Sequence, residues 1–225
     1  DCVAIGSGAL SGALDSTNGV DEASGTVAIG KSALAALTSG ARNVAVGYSA
    51  LSLLQTGIAN IVIGYQAADA MDGAETDNVV IGDGAMGTAN NNLTIRNIAI
   101  GSLSLDATGA NPIHGTTAIG YAALSTITTG DKNTAIGYQT IVTANGAETD
   151  NVAIGYEVMK LMDNDDSDQN TAIGNYAMAG ITTGGVEDCV AIGYNAFKGA
   201  AGSSEQGTVA VGSGSLQALT TGAGN

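Results

Sequence analysis

A four-residue phrase recurs twelve times along these 225 residues: a β-branched residue or Thr, a small residue, Ile or Val, then Gly. The copies end at Gly6, Gly30, Gly47, Gly64, Gly82, Gly101, Gly120, Gly137, Gly155, Gly174, Gly193 and Gly212; the first gap is 24 residues and every later one 17 to 19. A fixed period of this size is the mark of a solenoid, in which each repeat is one coil stacked on its neighbours. The expected fold is therefore all-β: a parallel β-solenoid (β-roll or β-helix) of about twelve coils over residues 1–225, a single continuous repeat domain without a linker. At ~4.8 Å per coil it would run roughly 55–60 Å. The pattern continues to both ends of the chain, as expected for a piece of a longer fibre.

Numbered from each glycine, the third residue before it is Val or Ile in nine coils and Thr at Thr117, Thr134 and Thr171, and the residue just before it is always Ile or Val. Two apart on a strand, these side chains share a face, and they read as two inward columns. The residue between them is Ala4, Ala28, Ala45, Ala99, Ala118, Ala135, Ala153, Ala172, Ala191 or Ala210, with Val62 and Val80 in the other two coils. On this reading the alanines face outward, where varied polar residues belong. A uniform methyl stripe there predicts close packing against another copy of the chain, a homotrimer about the fibre axis. The fourth residue after each glycine is apolar throughout, from Leu10 to Leu216, and forms a third inward column. A further apolar residue often follows three places on (Leu37, Leu54, Ile127, Ile181, Leu219), at a spacing that fits a bend or helical turn as well as a strand.

Asn precedes the phrase in seven coils, Asn43, Asn60, Asn133 and Asn151 among them, and such a stack can exchange side-chain hydrogen bonds from coil to coil. Thr-Thr-Gly recurs at Thr128–Gly130, Thr182–Gly184 and Thr220–Gly222 as a turn. GAETDNV occurs at residues 73–79 and again at 146–152, so a block of four coils has been duplicated. Composition fits narrow coils: 34 Gly, one Pro, one Phe and no Trp.

Net charge is −15 with six Lys and Arg, which disfavours nucleic acid and anionic membrane as partners. No apolar stretch approaches the ~20 residues of a membrane span. Cys2 and Cys189 hold the same slot ten coils apart, roughly 48 Å at ~4.8 Å per coil, far beyond disulfide reach; both are expected as free thiols.

Candidate sites are few. Tyr48, Tyr65, Tyr121, Tyr138, Tyr156 and Tyr194 each follow a phrase glycine. The row could contact a glycan, but a structural ladder of rings is the favoured reading. Asp163, Asp165, Asp166 and Asp168 crowd one loop and are weak Ca²⁺ candidates, although the EF-hand Gly and Glu positions are held by Asp168 and Gly174. Glu75 with Asp77, and Glu148 with Asp150, carry the same weak hypothesis. His114, the only histidine, reads as an exposed loop residue. No phosphate loop, zinc spacing or nucleophile motif is present, so no cofactor and no catalytic residue are assigned and the chain is read as a non-enzyme.

The segment GYAALSTITTGDKNTAIGYQ (residues 120–139) resembles repeats of bacteriophage tail fibres. The VAIG phrase is also similar to the head repeats of trimeric autotransporter adhesins, which form left-handed parallel β-rolls, although that repeat is shorter, near fourteen residues. The resemblance spans nearly the whole chain. It implies an extracellular homotrimeric fibre, most simply a virion tail-fibre shaft that spaces or presents a tip for a host glycan or protein receptor. The alternative is a bacterial cell-surface adhesin head. A hexapeptide-type acyltransferase is a remote third class: IGKSAL (residues 29–34) fits one of its turns, but the sixfold pattern is not sustained and its chemistry would rest on His114 alone. An ice-binding face is disfavoured because no Thr-x-Thr column exists.

Overall fold

The structure is a computed structural model that describes residues 1–12, 23–89, 94–107, 113–143, 148–162, 167–181, 185–199 and 205–217. It divides into two compact units, Asp1–Gly115 and Thr116–Asn225. Each is a parallel β-solenoid, and no helix occurs among the described residues.

Each phrase becomes a three-residue strand. The first unit holds β1 (Val3–Ile5), β2 (Val27–Ile29), β3 (Val44–Val46), β4 (Ile61–Ile63), β5 (Val79–Ile81) and β6 (Ile98–Ile100). Each pairs in parallel with the next and in phrase register, so that Val44 lies opposite Ile61 and Ala45 opposite Val62. The second unit repeats this with β7 (Thr117–Ile119), β8 (Thr134–Ile136), β9 (Val152–Ile154), β10 (Thr171–Ile173), β12 (Val190–Ile192) and β14 (Val209–Val211). Its two-residue strands β11 (Val186–Glu187) and β13 (Glu205–Gln206) form a second, narrow ladder ahead of the phrase. The first unit has single bridges at that place, running Ile58, Thr76, Ile95, His114. His114 is thus a half-buried rung and not an exposed loop residue.

Parallel strands need a crossover of about a dozen residues or more. Here the crossover is made of turns, and three recurrent left-handed residues explain how. The second residue after the glycine (Ser49, Gln66, Gln139), the fourth (Leu51, Leu124, Met159) and the fifth before it (Arg42, Asp77, Asp150) all have φ between 48° and 62°. Each such residue sends its N–H to a neighbouring coil: Gln66 to the carbonyl of Tyr48 at 2.8 Å, Leu51 to that of Ala67 at 3.1 Å, Arg42 to that of Ser24 at 2.8 Å. A left-handed residue with a Cβ costs roughly 1 kcal/mol. The inter-coil bond and the burial of the side chain at the fourth position offset that cost. The ambiguous second half of the coil is therefore a turn, neither strand nor helix.

The faces of the strand are the reverse of those expected. Ala28, Ala45, Ala99, Ala118, Ala135, Ala153, Ala172 and Ala191 are wholly buried within the chain, as are Val62 and Val80, and Ala210 is nearly so; Ala4, in β1, is exposed. The flanking Val, Ile and Thr residues are half-buried or exposed. The alanine column cannot be a subunit interface, because its methyl groups already pack inside the coil. The cause is volume. The interior is shared with Leu34, Leu51, Met86, Leu124, Met178 and Phe197 from the fourth position, and with Leu37, Leu54, Met71 and Ile127 three residues on, all fully buried. Beside such large side chains there is room for a small one, Ala in most coils and never more than Val. The expected inward column at the fourth position is correct.

The asparagine stack is also present. The N–H and Nδ2 of Asn60 both donate to Oδ1 of Asn43 (3.0 and 3.1 Å), and Asn78 does the same to Asn60. Nδ2 of Asn60 also reaches the carbonyl of Glu75 at 2.8 Å, so the buried amide is well satisfied. In the second unit Asn151 and Asn170 continue the pattern, and Cys189 takes the next rung, its N–H donating to Asn170 Oδ1 at 3.0 Å. Cys2 and Cys189 are both free thiols.

The phrase glycine is required by backbone geometry. Gly137 has φ +137°, outside the region open to residues with a Cβ, and a Cβ there would overlap the carbonyl of Gly155. Gly207, at φ +64°, has open space around it. Gly137→Ala should therefore lower unfolding stability by at least about 3 kcal/mol and Gly207→Ala by about 1 kcal/mol, measured by urea denaturation of the two variants.

Candidate functional site

With the alanines inside, the outer strand face is built from the residues either side of them. Two columns run up each unit. The first contains Val27, Val44, Ile61, Val79 and Ile98; the second contains Ile29, Val46, Ile63, Ile81 and Ile100. In the second unit Thr117, Thr134 and Thr171 replace the first aliphatic residue, while Ile119, Ile136, Ile154, Ile173 and Ile192 keep the second. Ile61, Ile63, Ile98, Ile173 and Ile192 are exposed. Neither column carries a charged side chain. An apolar surface of this kind is a candidate interaction face. Parallel register fixes its geometry, because the main chain spaces successive side chains at the inter-strand distance, ~4.8 Å.

Beside this face lie the tyrosines. Tyr48 and Tyr65 stack with ring centroids 5.1 Å apart and planes 13° off parallel. Tyr121, Tyr138 and Tyr156 continue the arrangement in the second unit at 5.3 and 5.1 Å, with planes within 17° and 5°. Tyr194 is approached through Tyr176, which the sequence pattern missed. Asn175 holds the slot after the glycine in that coil, and its Oδ1 accepts the N–H of Tyr156 at 3.1 Å. The ring comes from the next residue, Tyr176, and meets Tyr156 and Tyr194 edge-on, at 71° and 85°. Lys31 lies over the Tyr48 ring and Lys198 over Tyr176, at 5.7 and 4.7 Å from the centroids. Stacked tyrosines spend their faces on each other and show water their edges and hydroxyls. A sugar binds best on an open aromatic face, so this geometry favours the structural ladder over a glycan platform.

The calcium candidates Asp163, Asp165 and Asp166 lie outside the described residues. Asp168 uses its Oδ1 to accept the N–H of Thr149 at 2.6 Å. The Glu75–Asp77 and Glu148–Asp150 pairs do not converge: each Glu is buried and each Asp exposed. Asp150 instead lies 4.0 Å from Lys132. No group of three His, Cys, Asp or Glu side chains placed to hold a metal occurs among the described residues.

Buried carboxyl groups are the electrostatic feature that the sequence did not signal. Glu75, Glu148 and Glu205 occupy the same slot, seven residues before a glycine, and are fully buried. Glu75 Oε2 accepts the N–H of Gly73 at 3.0 Å, and burial raises its carboxyl above the usual range. Asp69 and Asp106 are raised as well, each chiefly by burial, and Asp69 further by the charge of Asp106.

Fold and surface together define the class: a repeat protein, a parallel β-solenoid with an apolar outer sheet face and a tyrosine ladder. No family model matches the chain, and no curated protein or solved structure is significantly similar to it.

A raised carboxyl stabilises the fold while it is protonated and stops doing so as pH climbs through its folded-state value. Glu75→Gln should therefore raise the melting temperature at pH 8 by a few degrees, with the difference from the parent chain shrinking toward pH 4. Thermal melts followed by circular dichroism across that range will show it.

Proposed function

We propose that this chain is a shaft segment of an extracellular homotrimeric fibre, most simply a phage tail fibre, with one coil per phrase and twelve in all. The observation that carries this reading is the exposed, uncharged pair of Val/Ile columns on the outer strand face. An apolar stripe extended along a stack of coils is matched best by the same stripe on an identical chain, in the same register. Three copies around one axis let every chain cover its stripe and leave the acidic turns in water. The interface moves from the alanines to residues such as Val46, Ile63, Ile119, Ile136 and Ile154. The shaft has no catalytic role in this reading. Its stiffness comes from the inter-coil hydrogen bonds, and its length from the number of repeats, as the duplicated GAETDNV block illustrates.

The autotransporter-type adhesin head is the second reading, favoured by the VAIG phrase itself. It places the same trimer on a bacterial surface, where the stack would contact host ligands directly. A glycan and matrix-protein panel separates the two: a shaft binds none of them, whereas an adhesin head retains at least one.

Two substitutions one residue apart test the interface. Ile136→Lys puts a charge on the outer face, and should give a monomer with an unchanged circular dichroism spectrum. Ala135→Lys drives a charge into a filled interior and should cost more than about 4 kcal/mol, unfolding the coil before assembly is in question. Sedimentation equilibrium reads the mass; a parent chain that sediments as a monomer overturns the trimer.

A further inference from the structure

We propose that the parallel-stacked tyrosines are an oxidative cross-linking site, at which successive coils of one chain become joined through dityrosine. The inference is independent of the fibre reading. It rests on three features of the row. The rings of Tyr48–Tyr65, Tyr121–Tyr138 and Tyr138–Tyr156 are parallel within 17° at 5.1–5.3 Å, so neighbouring phenols lie face over face across one inter-strand step. The backbone holds that step fixed: the carbonyls of Tyr48, Tyr121 and Tyr138 accept N–H bonds of 2.8–2.9 Å from Gln66, Gln139 and Glu157 in the next coil. And the five tyrosines are exposed, at 39–54% of the residue surface, so a diffusible oxidant reaches them.

The chemistry balances with hydrogen peroxide as the oxidant and a haem peroxidase as its activator. Each of two phenols gives up one hydrogen atom, as a proton and an electron, and peroxide is reduced to two molecules of water. The two phenoxyl radicals couple ortho carbon to ortho carbon. Each ring then moves its ortho hydrogen to oxygen and regains its phenol. The product differs from the two tyrosines by the loss of two hydrogens.

Geometry also sets the selectivity. Tyr176 meets Tyr194 edge-on at 85° and 6.1 Å, which directs ring hydrogens of one into the face of the other and not ortho carbon toward ortho carbon. The row should therefore divide into parallel pairs that couple and edge-on pairs that do not.

The test treats the full chain, as an equal mixture of unlabelled and ¹⁵N-labelled material, with horseradish peroxidase and limiting hydrogen peroxide, followed by proteolysis and mass spectrometry. The expected result is links within one chain at Tyr48–Tyr65, Tyr121–Tyr138 and Tyr138–Tyr156, each at least fivefold more abundant than Tyr176–Tyr194. Tyr138→Phe should remove both links made by that residue and leave Tyr48–Tyr65 at its parent level. Links that join labelled to unlabelled chains in the main, equal yields at parallel and edge-on pairs, an unchanged pattern in urea, or no dityrosine at all would each overturn the proposal.

Discussion

The hydrogen bonds between neighbouring coils are the constraint on which the rest of this structure depends. A three-residue strand is too short to hold a sheet by itself, and the ladder here continues past the strand into the turns. Gly64 donates to Val46 and Gln66 to Tyr48 in the coil before, and Ala68 to Ala85 in the coil after, so the N–H groups of one coil serve both neighbours. A backbone that serves both neighbours in this way must place residues at positive φ, and it does so at the second and fourth positions after the glycine even where these are Gln, Leu, Met, Phe or Ile. Ile141, β-branched and at φ 50°, is the plainest case. Its local preference opposes that conformation. The N–H bond of 3.0 Å to the carbonyl of Val158 and complete burial of its side chain hold it there.

Period, parallel order and register were legible in the sequence because they follow from where the glycines stand. The large inward column was legible as well, since a bulky apolar side chain at the same place in coil after coil is costly to leave in water. The orientation of the strand was not. Alternation separates two faces of a strand, but here both faces are apolar, and alternation alone does not say which one is inside. Volume does. The slot held by Ala28, Ala45 and Ala135 never exceeds Val in size because it shares a thin interior with Leu, Met and Phe side chains, whereas solvent imposes no limit on the size of Ile61 or Ile136. Uniform smallness is better read as interior crowding than as a contact surface.

Other features escaped the pattern because they come from substitutions between slots. Tyr176 joins the tyrosine row from a residue one place late, and its ring arrives at right angles to its neighbours for that reason. Cys189 stands in the asparagine stack and still donates its backbone N–H to Asn170 Oδ1, so a repeat motif that counts only Asn misses this rung. Glu75, Glu148 and Glu205 fill a slot that is Gly in Gly40, Gly57 and Gly130. Charge in a sequence suggests solvent, yet these carboxyls turn inward beside a tight backbone approach, and for Glu75 the Gly73 N–H supplies part of what water would have given.

The interior shows how a repeat can vary without losing its register. Only one coil has Ala at the large inward position, Ala68, and the same coil carries Val62 where its neighbours below have Ala28 and Ala45. Both residues are fully buried, and the next coil carries Val80 in the same column. In the Gly64 coil the small Ala68 is accompanied by the larger Val62, which returns part of the lost volume; Val80 beside Met86 shows that the column takes Val without such a loss as well. The outer face changes under a different rule. Thr117, Thr134 and Thr171 replace Val with a residue of nearly the same shape, which alters polarity and leaves the contour of the column intact. The large inward position exchanges volume and stays apolar, whereas the first outer column exchanges Val for Thr with little change of contour. Val, Ile and Thr share a branched Cβ, so each exchange keeps the strand preference of its rung while the polarity of the outer face changes.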